Sequence, residues 1–261
     1  MTVVTLLEKA YGPFPPAAFE PTFSSLCRDL KVSLKVLGKT DRGWIQIEVS
    51  GEDETAALNY LDQTVGFAPA SLDKSKELST LRGKIIFSGK SKNELCVDVG
   101  LFAPVVVDAT IRLQSLQAQL AGGKALPLQR LIEAFCLYDH MPLSVKIVGD
   151  VGGVDPSKKQ VEAELSEAQL SQFMRWIRSF LDRLIVLGAP LSDVEHAINV
   201  SKHFRDIIKV ETLGLLEHAI LCKLGTDAVG LIPKLGPLLP TAILAPFCPT
   251  KIQQLINRPF L

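Results

Sequence analysis

The stretch EHAILCKLGTDAVGLIPKLGPLL, residues 217–239, decides the fold. A strand-like run from His218 to Leu224 breaks at Gly225, and a helix-like run begins at Thr226-Asp227. Glycine reaches positive φ without a Cβ clash and so turns the corner. Aspartate suits the start of the following helix, where its carboxylate meets unpaired N–H groups. Working outward, RLIVL (183–187) is a strand and Pro190-Leu191-Ser192-Asp193 opens a helix to about Phe204. DIIKVETLG supplies another strand before the quoted stretch, and TAILAPF closes the series. The order is β-α-β-β-α with a final β, which suits a ferredoxin-like layer of sheet and helices.

The first part of the chain has the same order. VVTLL (3–7) is a β-branched strand, followed by the Pro-rich loop GPFPPAAFEP. FSSLCRDL forms a short helix with Phe23, Leu26, Cys27 and Leu30 on one face. Two strands follow, 32–38 and 43–51. In the second, Ile45, Ile47 and Val49 alternate with Trp44, Gln46 and Glu48, so the β-branched set faces a core. EDETAALNYLDQTVG is a helix with acids in its first turn. Lys35-Val36 lines up with Lys209-Val210, and Gly51-Glu52-Asp53 with Gly225-Thr226-Asp227 at the same spacing. A duplicated strand–Gly–x–Asp–helix device is the expectation, although APASL (68–72) makes a poor fourth strand.

Between these parts LRGKIIFSGKSKNELCVDVGLF reads as two strands joined by a polar turn, Gly89 to Asn93. VVVDATIRL, PLSVKIVGDV and KKQVEAELS are further strands, the last after the turn Gly152 to Pro156. Two helices, broken at Gly122-Gly123, are inserted. Five short strands with a helical insertion suggest an OB/S1-like β-barrel. The expected class is therefore α+β: two ferredoxin-like βαββα(β) halves flanking that barrel. The boundaries are 1–77 for the N-terminal domain, 78–165 for the barrel, 166–180 for a linker helix and 181–261 for the C-terminal domain. The linker helix carries Leu170, Phe173, Met174, Ile177 and Phe180 on its apolar face.

Composition narrows the function. Apolar residues make up 47% and charged residues 21%, an ordered composition, and 28 basic residues balance 28 acidic ones. Such a balance speaks against strong non-specific DNA binding. Cys27, Cys96, Cys136, Cys222 and Cys248 are odd in number, scattered and without a C-x-x-C pair, so neither a disulfide framework nor a zinc knuckle is expected. The start MTVVTLLEKAYG has no signal-peptide pattern, and 224–247 is interrupted by Asp227, Lys234 and four prolines. A cytoplasmic protein with no membrane partner is expected.

Motifs for chemistry fail one by one. GKIIFSGKS (83–91) has five residues between its first glycine and Gly-Lys-Ser where a phosphate loop has four, and a strand follows it rather than a helix. No G-x-G-x-x-G or G-x-S-x-G occurs. His218 and Cys222 share a strand face with Ile220 between them, which reads as packing. His196 and His203 lack a third ligand, Asp139-His140 serves a turn, and Glu162 and Glu164 alternate along an exposed strand. No catalytic residue, cofactor or metal site is expected.

One cluster points to nucleic acid. Arg82, Lys84, Lys90 and Lys92 surround Phe87 on the first barrel hairpin, with Phe102 nearby. Basic and aromatic residues on a barrel face stack single-stranded bases. Lys202, Arg205 and Lys209 form a weaker second cluster. The leading expectation is a non-enzymatic protein contacting structured or single-stranded RNA, or the ribosome. The alternatives are an enzyme acting on a small or nucleotide substrate at Gly225, Thr226 and Asp227, and a protein-interaction scaffold.

RGWIQIEVSGEDETAALNYL, LQAQLAGGKALPLQRLIEAFCLYDHMPLSVKI, LDRLIVLGAPLSDVEHAI and LLEHAILCKLGTDAVGLIPKLGPLL resemble a family of uncharacterised archaeal proteins, domain of unknown function 2110. The resemblance spans nearly the whole chain and is most specific in the last block. It implies an archaeal, cytosolic protein. It implies no activity and carries no site residue over.

Overall fold

The computed structural model describes residues 1–71, 80–103, 106–148 and 160–256, and the chain divides into two compact units, Met1–Ala70 and Ser71–Leu261. The turn expected at 152–156 lies outside the described residues. Among the described residues no helix is long and apolar enough to cross a membrane.

The first unit runs β1 (Thr2–Lys9), a 3₁₀ turn (Pro16–Phe19), α1 (Glu20–Leu26), β2 (Val32–Lys39), β3 (Trp44–Gly51) and α2 (Glu54–Thr64). Its sheet has the order β1-β3-β2, with both pairs antiparallel. Ile45, Ile47 and Val49 are fully buried, as their alternation predicts. The helix starts earlier than its sequence suggests, because Pro16 and Pro21 sit in first turns, where no N–H is needed. Its buried stripe is therefore Phe19, Phe23 and Cys27, while Leu26 is exposed. A rudimentary fourth strand exists: Leu6 bridges Phe67, and Ala68 N–H donates to the Thr5 carbonyl. A two-residue strand, β4 (Ala70–Ser71), follows.

The second unit holds two sheets. Strands β5 (Thr80–Ile86), β6 (Glu94–Ala103), β7 (Val107–Arg112), β8 (Pro142–Ile147) and β9 (Gln160–Leu165) pair in a closed circuit. β5 bonds to β6 and β8, β6 to β7, β8 to β9, and β9 runs parallel to β7. Inward positions are Leu81, Ile85, Leu95, Val97, Ala109, Ile111, Leu143, Val145, Val161 and Ala163, so the ring is a packed core. Helices α3 (Leu113–Ala121) and α4 (Leu128–Phe135) lie between β7 and β8. Gly122 and Gly123, both at positive φ, separate them.

Helix α5 (Glu167–Arg178) leads to β10 (Arg183–Leu187), α6 (Leu191–Val200), β11 (Ile207–Thr212), β12 (Glu217–Cys222), α7 (Ala228–Leu235), β13 (Ile243–Phe247) and α8 (Pro249–Ile256). The sheet order is β11-β12-β10-β13, antiparallel throughout. One face, with Leu184, Val186, Ile220 and Cys222, packs on α6 and α7. The other, with Ile185, Ala219, Ala245 and Phe247, joins the core that includes the ring. Burial on both faces explains why RLIVL and EHAILC are nearly unbroken apolar runs. Helix α5, expected as a linker, buries Phe173, Trp176 and Ile177 in that common core. Phe180, assigned to its apolar face, stands outside the helix at φ 55° and is exposed; Trp176 occupies the core instead. Helix α8 has no counterpart in the sequence reading.

The two strand–Gly–x–Asp–helix joins differ in use. A methyl group at Gly51 (φ 139°) would lie 2.3 Å from the Lys31 carbonyl oxygen, whereas one at Gly225 (φ 87°) would meet nothing within 4 Å. Asp53 does not cap α2; its carboxylate accepts from the Lys31 N–H at 2.8 Å. Asp227 does cap α7, accepting from the Val229 N–H at 3.1 Å. Gly51→Ala should therefore lower stability by about 2–3 kcal/mol, combining overpacking with backbone strain. Gly225→Ala should cost only about 1–2 kcal/mol, from strain alone. Thermal melts of both variants read the difference, and equal losses would contradict it.

Candidate functional site

The β5–β6 hairpin turns through residues 87–93. Its tip is fixed by the Asp139 carboxylate, which accepts from the Ser88 N–H at 2.6 Å, and by Lys90 N–H donating to the Phe87 carbonyl. Phe87 takes φ 56° and is 51% exposed, and the Lys90 ammonium lies 4.1 Å from its ring centroid. An exposed cation–π contact of this kind is worth about 0.5–1 kcal/mol. Lys92 is exposed in the same turn.

The other expected members do not join the tip. Arg82 is exposed but sits four residues before the end of β5, about 13 Å along the strand at its normal rise. Phe102, half-buried, lies eight residues beyond the start of β6, roughly 25 Å away by the same measure. Lys84 is 2% exposed, and its ammonium donates to the Glu217 carboxylate of β12 at 2.7 Å. An ammonium buried in an ion pair presents no charge to a phosphate, so Lys84 belongs to the interior. The outward positions of β6, β7 and β9 carry Glu94, Asp108, Glu162 and Glu164, and Arg112 is tied to Glu162 at 3.0 Å. These strands thus add mainly acidic surface beside the hairpin. His218 and Cys222 are buried, and a His218 ring nitrogen lies 3.1 Å from the Ala189 carbonyl.

The opening Gly–Thr–Asp turn lines a cleft of about 220 Å³ with Phe180, Asp182, Lys223 and Leu224. Asp182, just before β10, clamps the join twice. Its carbonyl accepts from the Cys222 N–H at 3.0 Å, and its carboxylate accepts from the Ala228 N–H at 3.2 Å. The Cys248 thiol, between β13 and α8, lies near the same carboxylate. Ligand atoms of Asp182, Asp227 and Cys248 all lie within 4.8 Å of one another. Burial, first, and then the Asp182 charge push the Cys248 thiol up to about 12, and the same causes push Cys222 to about 11. The sequence reading missed Asp182 and Cys248, since no local motif links them to residue 227.

The fold defines an α+β protein whose first and last sheets share one split strand order, on either side of a five-stranded ring in the chain. The chain belongs to the DUF2110 family: the DUF2110 N-terminal domain matches residues 3–70 and the DUF2110 C-terminal domain residues 181–246, together about half of the chain. No curated protein gives a significant match.

Proposed function

We propose that the protein is a non-enzymatic RNA-binding or ribosome-associated protein that contacts single-stranded RNA through the β5–β6 hairpin. The observation carrying this reading is the tip itself: an exposed Phe87 ring with Lys90 over it and Lys92 exposed in the same turn, on a two-stranded support. Such a ring offers a stacking face to any base, and the ammonium groups meet the backbone. The strand circuit supports it further. Taken in chain order, the five strands pair 1-2-3-5-4-1 with the third and fifth parallel, which is the arrangement of an OB-type barrel. In that barrel the loop joining the first two strands is one of those that grip oligonucleotides. The order β11-β12-β10-β13, and its three-stranded counterpart β1-β3-β2, are those of ferredoxin-like sheets.

The acidic outer face of β6, β7 and β9 restricts the footprint to the hairpin. Lys90 and Lys92, with or without Arg82, make two or three phosphate contacts. A single-stranded ligand then gives a salt slope between about −1.4 and −2.1 in log K against log salt. Fluorescence anisotropy with a labelled single-stranded RNA, from about 50 to 200 mM salt, measures it. Phe87→Ala should weaken binding by about 1–3 kcal/mol. Lys90→Glu/Lys92→Glu should abolish it, with the circular dichroism spectrum unchanged. Absence of binding at the lowest salt, or full binding by both variants, overturns the proposal. Lys84 is left intact in this test, because its substitution disturbs the core.

A further inference from the structure

We propose that Asp182, Asp227 and Cys248 form a binding site for a divalent cation of zinc-like softness. The three donors come from three chain segments that the fold alone brings together, and their ligand atoms lie within 4.8 Å of one another. Two carboxylates and one thiolate form a mixed hard and soft set suited to such an ion, and three protein ligands leave a coordination position open. That position has access, because both carboxylate residues line the 220 Å³ cleft at the Gly225 turn. One oxygen of Asp182 accepts from the Ala228 N–H and one oxygen of Asp227 from the Val229 N–H. These bonds orient the two carboxylates and leave the second oxygen of each for the ion, the arrangement by which outer contacts fix metal ligands. The nearby N-terminus of α7 opposes a cation by about 0.3–1 kcal/mol. Two carboxylates and a thiolate outweigh it.

Binding must replace the Cys248 proton: the S–H bond breaks, the sulfur–metal bond forms, and one proton leaves to solvent.

The experiment uses the full chain, stripped with a chelator and titrated with Co²⁺, then with Zn²⁺ in competition. The expected result is one equivalent bound, a thiolate-to-cobalt charge-transfer band in the near ultraviolet, and release of about one proton per ion. Cys248→Ser should remove the band, and Asp227→Asn should weaken binding by about tenfold or more. Asp227 is exposed, so its variant keeps the reading decisive should Cys248→Ser fail to fold. The proposal is overturned if no band appears at millimolar Co²⁺, or if the band survives in Cys248→Ser. It is also overturned if Asp227→Asn binds as tightly as the wild type.

Discussion

Lys84→Ala should lose about 3–5 kcal/mol of stability, the loss expected when one member of a buried ion pair is removed. The Lys84 ammonium and the Glu217 carboxylate are 2% and 0% exposed and 2.7 Å apart. Deleting the ammonium takes the cation at 2.7 Å away from a carboxylate buried inside the second unit, and the desolvation it offset is then felt. The pair also joins the ring strand β5 to the sheet strand β12, so its loss is felt by both. Replacing both partners together, Lys84→Met with Glu217→Leu, removes two desolvation costs and keeps apolar volume. This double variant should recover most of the stability. Equilibrium urea unfolding of the wild type, Lys84→Met, Glu217→Leu and the double variant gives the coupling directly, and a double variant no more stable than Lys84→Ala would refute the account.

Phe247→Ala is the second large effect, again about 3–5 kcal/mol, for loss of a buried aromatic side chain. Phe247 is fully buried at the end of β13. Its ring meets Trp176 edge-on at 5.2 Å and stacks on Phe173 at 6.3 Å, with Phe135 at 6.3 Å. These four rings come from α4, α5 and β13, and they sit where the ring and the last sheet share a core. Truncation opens a cavity that three rigid neighbours cannot fill. Phe247→Leu should lose less, since it restores part of the volume. Near-ultraviolet circular dichroism should change in Phe247→Ala through the environment of Trp176, and an unchanged spectrum would show that the cluster does not depend on Phe247.

The local grammar of the chain was largely readable. Alternation placed Ile45, Ile47 and Val49 inside, Gly122-Gly123 marked the helix break, and the join at Gly225 fell where a strand gives way to a capped helix. Each of these is decided within a few residues. What could not be read depends on distant partners. Lys84 sits among Arg82, Lys90 and Lys92 in sequence, and its pairing with Glu217, 133 positions away, marks it as interior rather than part of that surface set. Trp176 and Phe180 are both apolar and close in sequence, and backbone geometry beyond the helix end turns one in and the other out. The candidate cation site unites residues 182, 227 and 248, whose spacing carries no periodicity. Helix α8 was missed although Pro249 begins it and Ile252 and Ile256 repeat at four residues, a short but legible signal.

The link between β5 and β12 also sets a clock on synthesis. Glu217 leaves the ribosome 133 residues after Lys84, a delay of roughly 7–27 s at ordinary elongation rates. Throughout that interval the ammonium lacks the Glu217 carboxylate, and the core-facing side of the last sheet does not yet exist. Strands β5 to β9 therefore emerge with a surface that β10, β12 and β13 cover later. A nascent chain stalled before residue 217 should be protease-sensitive in β5 to β8, and extension past β13 should protect these strands and the last sheet in a single step.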